Sequence, residues 1–189
     1  MNYDDLFRDA CRHWGKAVAL WDFDSTLRNS AQRHHLSPAN CPGSTWDDYS
    51  AAGIDDEPMH GSIMTLRLLY VAGIRNHIIS GSSESARALS LQWLDRHVGL
   101  QHVESVRLRP AGDHRKNEVY KAAHVQEVRE QGLIPVVFFE DWPPAAEHIQ
   151  RETGVPVVVV NPCYPCKNCG MTAEQIARIG QTDNIGGGL

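Results

Sequence analysis

The sequence lacks any apolar run approaching the roughly 18 residues that cross a bilayer, and no charged-then-apolar leader opens it, so it reads as a soluble, cytoplasmic chain with no membrane partner. It has no excess of positive charge. Against 23 Asp and Glu stand 18 Lys and Arg, a formal charge of −5. No basic field is available to hold long nucleic acid by neutralising its phosphates, so a nucleic-acid substrate would be gripped locally, at an end or as a mononucleotide. Cysteine is scarce and odd in number. Of the 5 cysteines, Cys163, Cys166 and Cys169 are packed close together, which does not fit a secreted disulfide framework and leaves reduced thiols or metal ligands. There are no internal repeats. The 189 residues suffice for one domain with a full core and are short for two.

What is present is organised around Ala17–Leu20, a buried-strand run that continues through Trp21 into Asp22-Phe23-Asp24-Ser25-Thr26-Leu27. Asp22 and Asp24 are two apart, so on an extended chain both side chains share one face at the strand's carboxyl end, where ligands bind in an open parallel sheet. Two adjacent carboxylates need a cation, a shared proton or solvent. By themselves these residues also fit a simple turn after a core strand, because Asp and Ser are ordinary turn residues.

The rest of the chain supplies the context. Leu6, Phe7, Ala10 and Cys11 recur at helical spacing over 3–14, and Gly15 ends that helix. Residues 28–58 are polar, with Trp46 and Tyr49 as the large anchors, and read as a functional loop or lid inserted after the first strand. Helical spacing returns over 59–72. A second strand at 74–79 closes in Ser80-Gly81-Ser82-Ser83, which offers a hydroxyl and backbone donors to an anion ahead of a helix at 84–97. A third strand at 103–108, a helix at 115–131 carrying Lys116 and Lys121, a fourth strand at 134–139 ending in Glu140-Asp141, a helix opened by Pro143 and Pro144, and a Val-rich strand at 155–160 follow. A Cys-rich extension over 162–189 ends the chain, with a short helix near 172–179 and a Gly-rich tail. Alternating strands and helices at this spacing predict a single α/β domain, a Rossmann-like parallel sheet with helices on both faces.

Polar signals thus fall at successive strand ends: Asp22 with Asp24, Ser80, the lysines, and Glu140 with Asp141. Acids from two strands suit Mg²⁺, a hard ion that takes a few carboxylates together with waters and phosphate oxygens. A hydroxyl and an ammonium beside it would neutralise the oxygens of a phosphoryl group in transfer.

In that order and from those strand ends, Asp22-Phe-Asp24-Ser-Thr26, Ser80, a lysine and Glu140-Asp141 resemble the haloacid dehalogenase superfamily of aspartate-nucleophile phosphatases. Within it the chain is most similar to the phosphatase domain of polynucleotide kinase-phosphatases, through Arg33, the Ser80-Gly81 turn, Trp93-Leu94, and Leu108-Arg109-Pro110 with Gly112-Asp113-His114-Arg115-Lys116 leading to Lys121. The resemblance covers roughly residues 17–161. No Gly-rich Walker loop is present, so a kinase half is absent.

The resemblance implies a phosphatase acting on nucleic-acid 3′-phosphate ends, with Asp22 as nucleophile and Asp24 as acid and base, its pKa above its neighbour's. It implies Mg²⁺ on the Asp22 carboxylate, the Asp24 main-chain carbonyl and the Asp141 carboxylate, with Glu140 assisting. Ser80 and Lys121 would hold phosphoryl oxygens, Lys121 fitting the spacing better than Lys116. Thr26, Arg33, Gly81 and Ser82 would bind substrate. The subgroup tends to place arginine where this chain has Ser82, and an acid where it has Asn117; Arg28 or Arg33 is then the candidate source of the missing charge.

Three readings stay open. The substrate is a polynucleotide end or a nucleoside monophosphate or other small phosphoester. Cys163, Cys166 and Cys169 hold structural Zn²⁺, completed by Cys41, His34 or His35 from the long loop, or they are simple thiols. Trp46 and Tyr49 stack on a base or anchor a lid. A rival of another class is a non-catalytic metal-binding interaction module, against which the full set of Asp22, Asp24, Ser80, Lys121 and Asp141 argues.

Overall fold

The computed structural model describes residues 3–160. After helix α1 (Tyr3–Arg12) the chain enters β1 (Ala17–Trp21), whose five residues are all fully buried. This strand is the middle of a five-stranded sheet ordered β5-β4-β1-β6-β7, formed with β4 (Arg75–Ser83), β5 (Ser105–Arg109), β6 (Ile134–Glu140) and β7 (Val157–Val159). Every pairing is parallel, the α/β architecture expected from the alternation of elements.

Side-chain alternation along β1 feeds two cores. Val18 and Leu20 join Tyr120, Val125 and Val128 of α5 (Asn117–Glu130) and Ala145 and Ile149 of α6 (Pro143–Thr153). Ala19 and Trp21 join Ile63 and Leu66 of α3 (His60–Val71) and Trp93 and Leu94 of α4 (Arg87–His97). The period-2 rule carries Asp22 onto the α5 side, and Asp22 N–H still bonds Phe139 O at 2.9 Å, so the residue is held by the sheet beyond the last formal strand position.

Two expectations change. β4 does not stop at Ile79: after an irregularity it pairs again at Ser83 with Arg109, so Ser80-Gly81-Ser82 lies within the strand's end and not in a free turn. The stretch 28–58, expected as a loop or cap inserted after the first strand, contains regular elements. It holds β2 (Arg28–Asn29) paired antiparallel with β3 (Glu57–Pro58), short 3₁₀ turns, and α2 (Trp46–Ala51), which opens on a capping box between Thr45 and Asp48. Its interior is polar: Arg28, Arg33 and Asp56 are all buried. The expected 172–179 helix, the glycine tail and the Cys163, Cys166, Cys169 cluster lie outside the described residues.

Asn76 locks one layer to the sheet. Its Oδ1 accepts from Trp21 Nε1 at 3.0 Å, and its Nδ2 donates to Leu66 O at 3.0 Å and His102 O at 3.1 Å, all with Asn76 only 1% exposed. Asn76→Leu removes all of these partners at once while keeping the branched four-atom skeleton of the side chain. We expect a loss of about 1–3 kcal/mol, read as a fall of several degrees in the thermal unfolding midpoint; an unchanged midpoint would show that these bonds contribute nothing to stability.

Candidate active site

The carboxyl ends of β1, β4 and β6 open into a cavity of about 790 Å³, with Asp22, Asp24, Ser80, Gly81, Ser82, Lys121, Glu140 and Asp141 among its lining residues. Lys121 projects from the inward face of α5 and is 1% exposed. Its Nζ lies 2.7 Å from Asp22 Oδ1 and 2.6 Å from Glu140 Oε2, so one ammonium bridges the ends of two strands. Lys116, the other candidate, caps α5 on the exposed side. Glu140 is also fixed by Trp142 N–H, which donates to its Oε1 at 3.3 Å.

Asp22, Glu140 and Asp141 each offer a carboxylate oxygen, and these oxygens lie within 4.8 Å of one another; among the described residues no other set of three or more His, Cys, Asp or Glu has that spacing. Burial pushes the Asp22 carboxyl up to about 7, helped by Glu140 and opposed by the Lys121 charge. Burial also pushes Asp141 well above the ordinary range, with the Asp22 and Glu140 charges adding to it. Lys121 is held protonated, the charges of Asp22 and Glu140 outweighing the cost of burial. Three acids sharing one ammonium make a site short of positive charge, and its all-oxygen donor set fits a hard divalent ion such as Mg²⁺.

Asp24 belongs to a different network. The loop that follows it turns tightly, with Leu27 N–H on Phe23 O at 2.9 Å and Ser25 in the left-handed region at φ 62°. Asp24 Oδ1 accepts from Arg28 Nε at 2.6 Å and from Arg33 Nη2, and Oδ2 accepts from Ser82 Oγ at 2.6 Å. Burial alone would raise its pKa, but the Arg28 and Arg33 charges and the Ser82 hydroxyl overcome it and hold the carboxyl well below the usual range. The expected order is therefore reversed, with Asp22 raised and Asp24 lowered.

The remaining substrate-binding expectations divide. Arg33 does not face the cavity: Nε donates to Asp56 Oδ2 at 2.8 Å, Nη1 to Tyr49 O at 2.9 Å, and its guanidinium stacks on the Tyr49 ring. Arg28, fully buried, donates to Gly53 O at 3.0 Å and lies over Phe23. A Cβ on Gly53 would sit 2.4 Å from Arg28 Nη1, so a larger residue there would force the buried guanidinium to shift. Thr26 is also buried and is not among the cavity-lining residues, its Oγ1 3.4 Å from Asp22 Oδ2. Gly81, Ser80 and Ser82 do line the cavity; Ser80 Oγ accepts from Ser82 N–H at 3.1 Å. Cys41 is half-buried with a free thiol and stands outside the acid cluster.

Two residues escaped the sequence reading. Asp56 balances Arg28 and Arg33, and nothing in its polar surroundings marks it. Asn117, noted as a missing acid, accepts from Arg109 Nη2 at 3.2 Å and packs so close to Gly81 that a Cβ there would meet its Oδ1 at 2.4 Å.

No protein-family model matches the chain, and no curated protein sequence does. Solved structures do match. In the Pnkp1/Rnl/Hen1 RNA repair complex, a chain aligns over 77% of this one with a TM-score of 0.61 and 18% identity; the alignment spans 42% of that longer chain. A class C acid phosphatase from Bacillus anthracis aligns over 86% of this chain and 75% of its own, TM-score 0.57 and 19% identity. L-2-haloacid dehalogenase from Xanthobacter autotrophicus aligns over 87% of this chain and 83% of its own, TM-score 0.51 and 15% identity. With these neighbours, and with its acids at the carboxyl ends of β1 and β6, the chain has the haloacid dehalogenase-type fold.

Proposed function

We propose that this chain is a divalent-cation-dependent phosphomonoesterase that works through an aspartyl-phosphate on Asp22, and that its substrate is a nucleic-acid 3′-phosphate end. The observation that carries the chemistry is the contact of Lys121 with both Asp22 and Glu140 beside Asp141. An aspartate and an ammonium thus meet at one point on the cavity floor with carboxylates to spare, which supports the reading of Asp22 as nucleophile and Lys121 as phosphoryl-binding group. Both the haloacid dehalogenase-type fold and the phosphatase among its neighbours support the reading. The choice of a nucleic-acid end rests on the Leu108–Lys121 resemblance and on the neighbour from an RNA repair complex.

Asp22 would attack phosphorus while the bond to the leaving oxygen breaks and that oxygen gains a proton; water would then attack the acyl phosphate, releasing inorganic phosphate and restoring the carboxylate. Lys121 and Ser80 would hold the non-bridging oxygens. The carboxylates of Asp22 and Asp141 and the Asp24 main-chain carbonyl, with Glu140 beside them, would hold Mg²⁺, which would supply neutralisation of the phosphoryl charge. Asp24 is kept ionised by Arg28, Arg33 and Ser82, the form that accepts the proton of the attacking water. Delivering a proton to the leaving oxygen is then the harder half of its task.

Turnover of an aryl phosphate with Mg²⁺ should vanish in Asp22→Asn and fall about 10²–10⁴-fold in Asp24→Asn. Equal turnover by the native chain and Asp22→Asn would reject the nucleophile. A chelator should abolish turnover and added Mg²⁺ restore it, whereas turnover that survives chelation would remove the cation from the account. Side-by-side rates on 3′-phosphorylated oligonucleotide, 5′-phosphorylated oligonucleotide and nucleoside monophosphates should rank the first highest; a preference for mononucleotides would shift the substrate and leave the chemistry standing.

A further inference from the structure

The cavity is much larger than a phosphoryl group requires, and its outer wall contains a side chain that the chemistry does not use. Trp46, the first residue of α2, is 60% exposed and lines the same cavity as Asp22. A tryptophan serving only to anchor the inserted segment would be covered. That work is done by Tyr49, half-buried, whose ring takes the Arg33 guanidinium at 4.0 Å on its face.

Trp46 is also held in place. Its ring meets Tyr49 edge-on, centroids 5.5 Å apart at 85°. The helix under it is fixed at its start by the Thr45–Asp48 capping box and at its end by Ser50, whose Oγ accepts from Ser83 N–H at 3.0 Å at the end of β4. The aromatic surface is thus registered to the strand that carries Ser80 and Ser82, as a preorganised site needs. The path Trp46–Tyr49–Arg33–Asp24 joins the cavity wall to the acid beside the nucleophile by direct contacts.

We infer that Trp46 is a stacking platform for the nucleobase of the substrate's terminal nucleotide, a subsite of the cavity that rests on the phosphomonoesterase reading of its floor. Asp22 and Glu140 at the floor are buried whereas Trp46 is open to solvent, so a ring that stacks on Trp46 needs a spacer between it and phosphorus. A sugar between base and phosphate provides that spacer; an aryl phosphate, with its ring directly on the ester oxygen, does not. Asp47, the next residue, also lines the wall, and its charge disfavours a second phosphate there while accepting donors from a base edge. Base–aromatic stacking tolerates every base, so the platform selects for a base and against none.

The test compares the native chain with Trp46→Ala and Trp46→Phe, in turnover and in equilibrium binding, on a nucleoside 3′-monophosphate, a 3′-phosphorylated oligonucleotide, glycerol phosphate and an aryl phosphate. Loss of one stacked base should raise KM and weaken binding of both nucleotide ligands about tenfold in Trp46→Ala, with kcat kept and glycerol and aryl phosphate turnover unchanged. Trp46→Phe should recover most of the loss. An equal effect on both nucleotide ligands supports the terminal nucleotide as the stacked one, and an effect on the oligonucleotide alone would overturn that assignment. Equal losses on all substrates, or none, would overturn the platform and leave the phosphatase reading intact. If the native chain turns over none of the substrates, the phosphatase reading fails and the binding arm decides: weaker nucleotide binding in Trp46→Ala upholds the platform, and unchanged or absent binding ends it.

Discussion

The arrangement depends on one buried ammonium. Lys121 lies between Asp22 and Glu140 at less than 3 Å from each, at the point where the ends of β1 and β6 come together. Without it, two carboxylates from neighbouring strands would face each other out of reach of water, and burying such charges unpaired is among the costliest acts in a fold. With it, the site is still short of positive charge, because Asp141 adds a third acid within 4.8 Å. Burial raises the pKa values of Asp22 and Asp141, and the neighbouring acid charges add to the rise. A divalent cation would discharge the shortfall, so on the proposed reading the imbalance that makes the cluster costly is what makes it a cation socket.

A second charge network does separate work. Arg28 and Arg33 neutralise Asp24 and Asp56, and through them the inserted segment 28–58 is attached to the carboxyl end of the sheet. Its attachment is ionic and hydrogen-bonded where the main domain's layers are apolar. The segment therefore gives the cavity a fixed wall, and the cost is that two arginines which a sequence reader would offer to a phosphate are already engaged. It also sets the ionisation of Asp24 opposite to that of Asp22, although the two are separated by a single residue.

The fold and most of the floor were legible because they follow periodic rules. Strand parity put Asp22 at the carboxyl end of the first strand, and the family spacing favoured Lys121 over Lys116; the structure supplies the physical reason, since Lys121 shares its face with Val125 and Val128, at i+4 and i+7, while Lys116 precedes the helix. The acids Glu140 and Asp141 were readable as the end of an apolar strand. The segment 28–58 was not, because periodicity searches for apolar residues and its interior consists of Arg28, Arg33 and Asp56. One sign was available, since Thr45-Trp46-Asp47-Asp48 has the spacing of a capping box with Asp in the last position. The engagement of Arg33 and Thr26 inside the protein could not be read at all; a side chain's partner across 23 residues, such as Asp56 for Arg33, has no local signature.

The socket itself is open to a direct measurement. Calorimetric titration of Mg²⁺ into the chain stripped of divalent ions, repeated in buffers of different ionisation heat, reports both binding and any protons expelled. One saturable site, with protons released because Asp22 and Asp141 must ionise to receive the ion, and with both signals lost in Asp141→Asn, is the expected result. No saturable binding, or binding equally strong in Asp141→Asn, would contradict the claim that these acids are assembled around a cation.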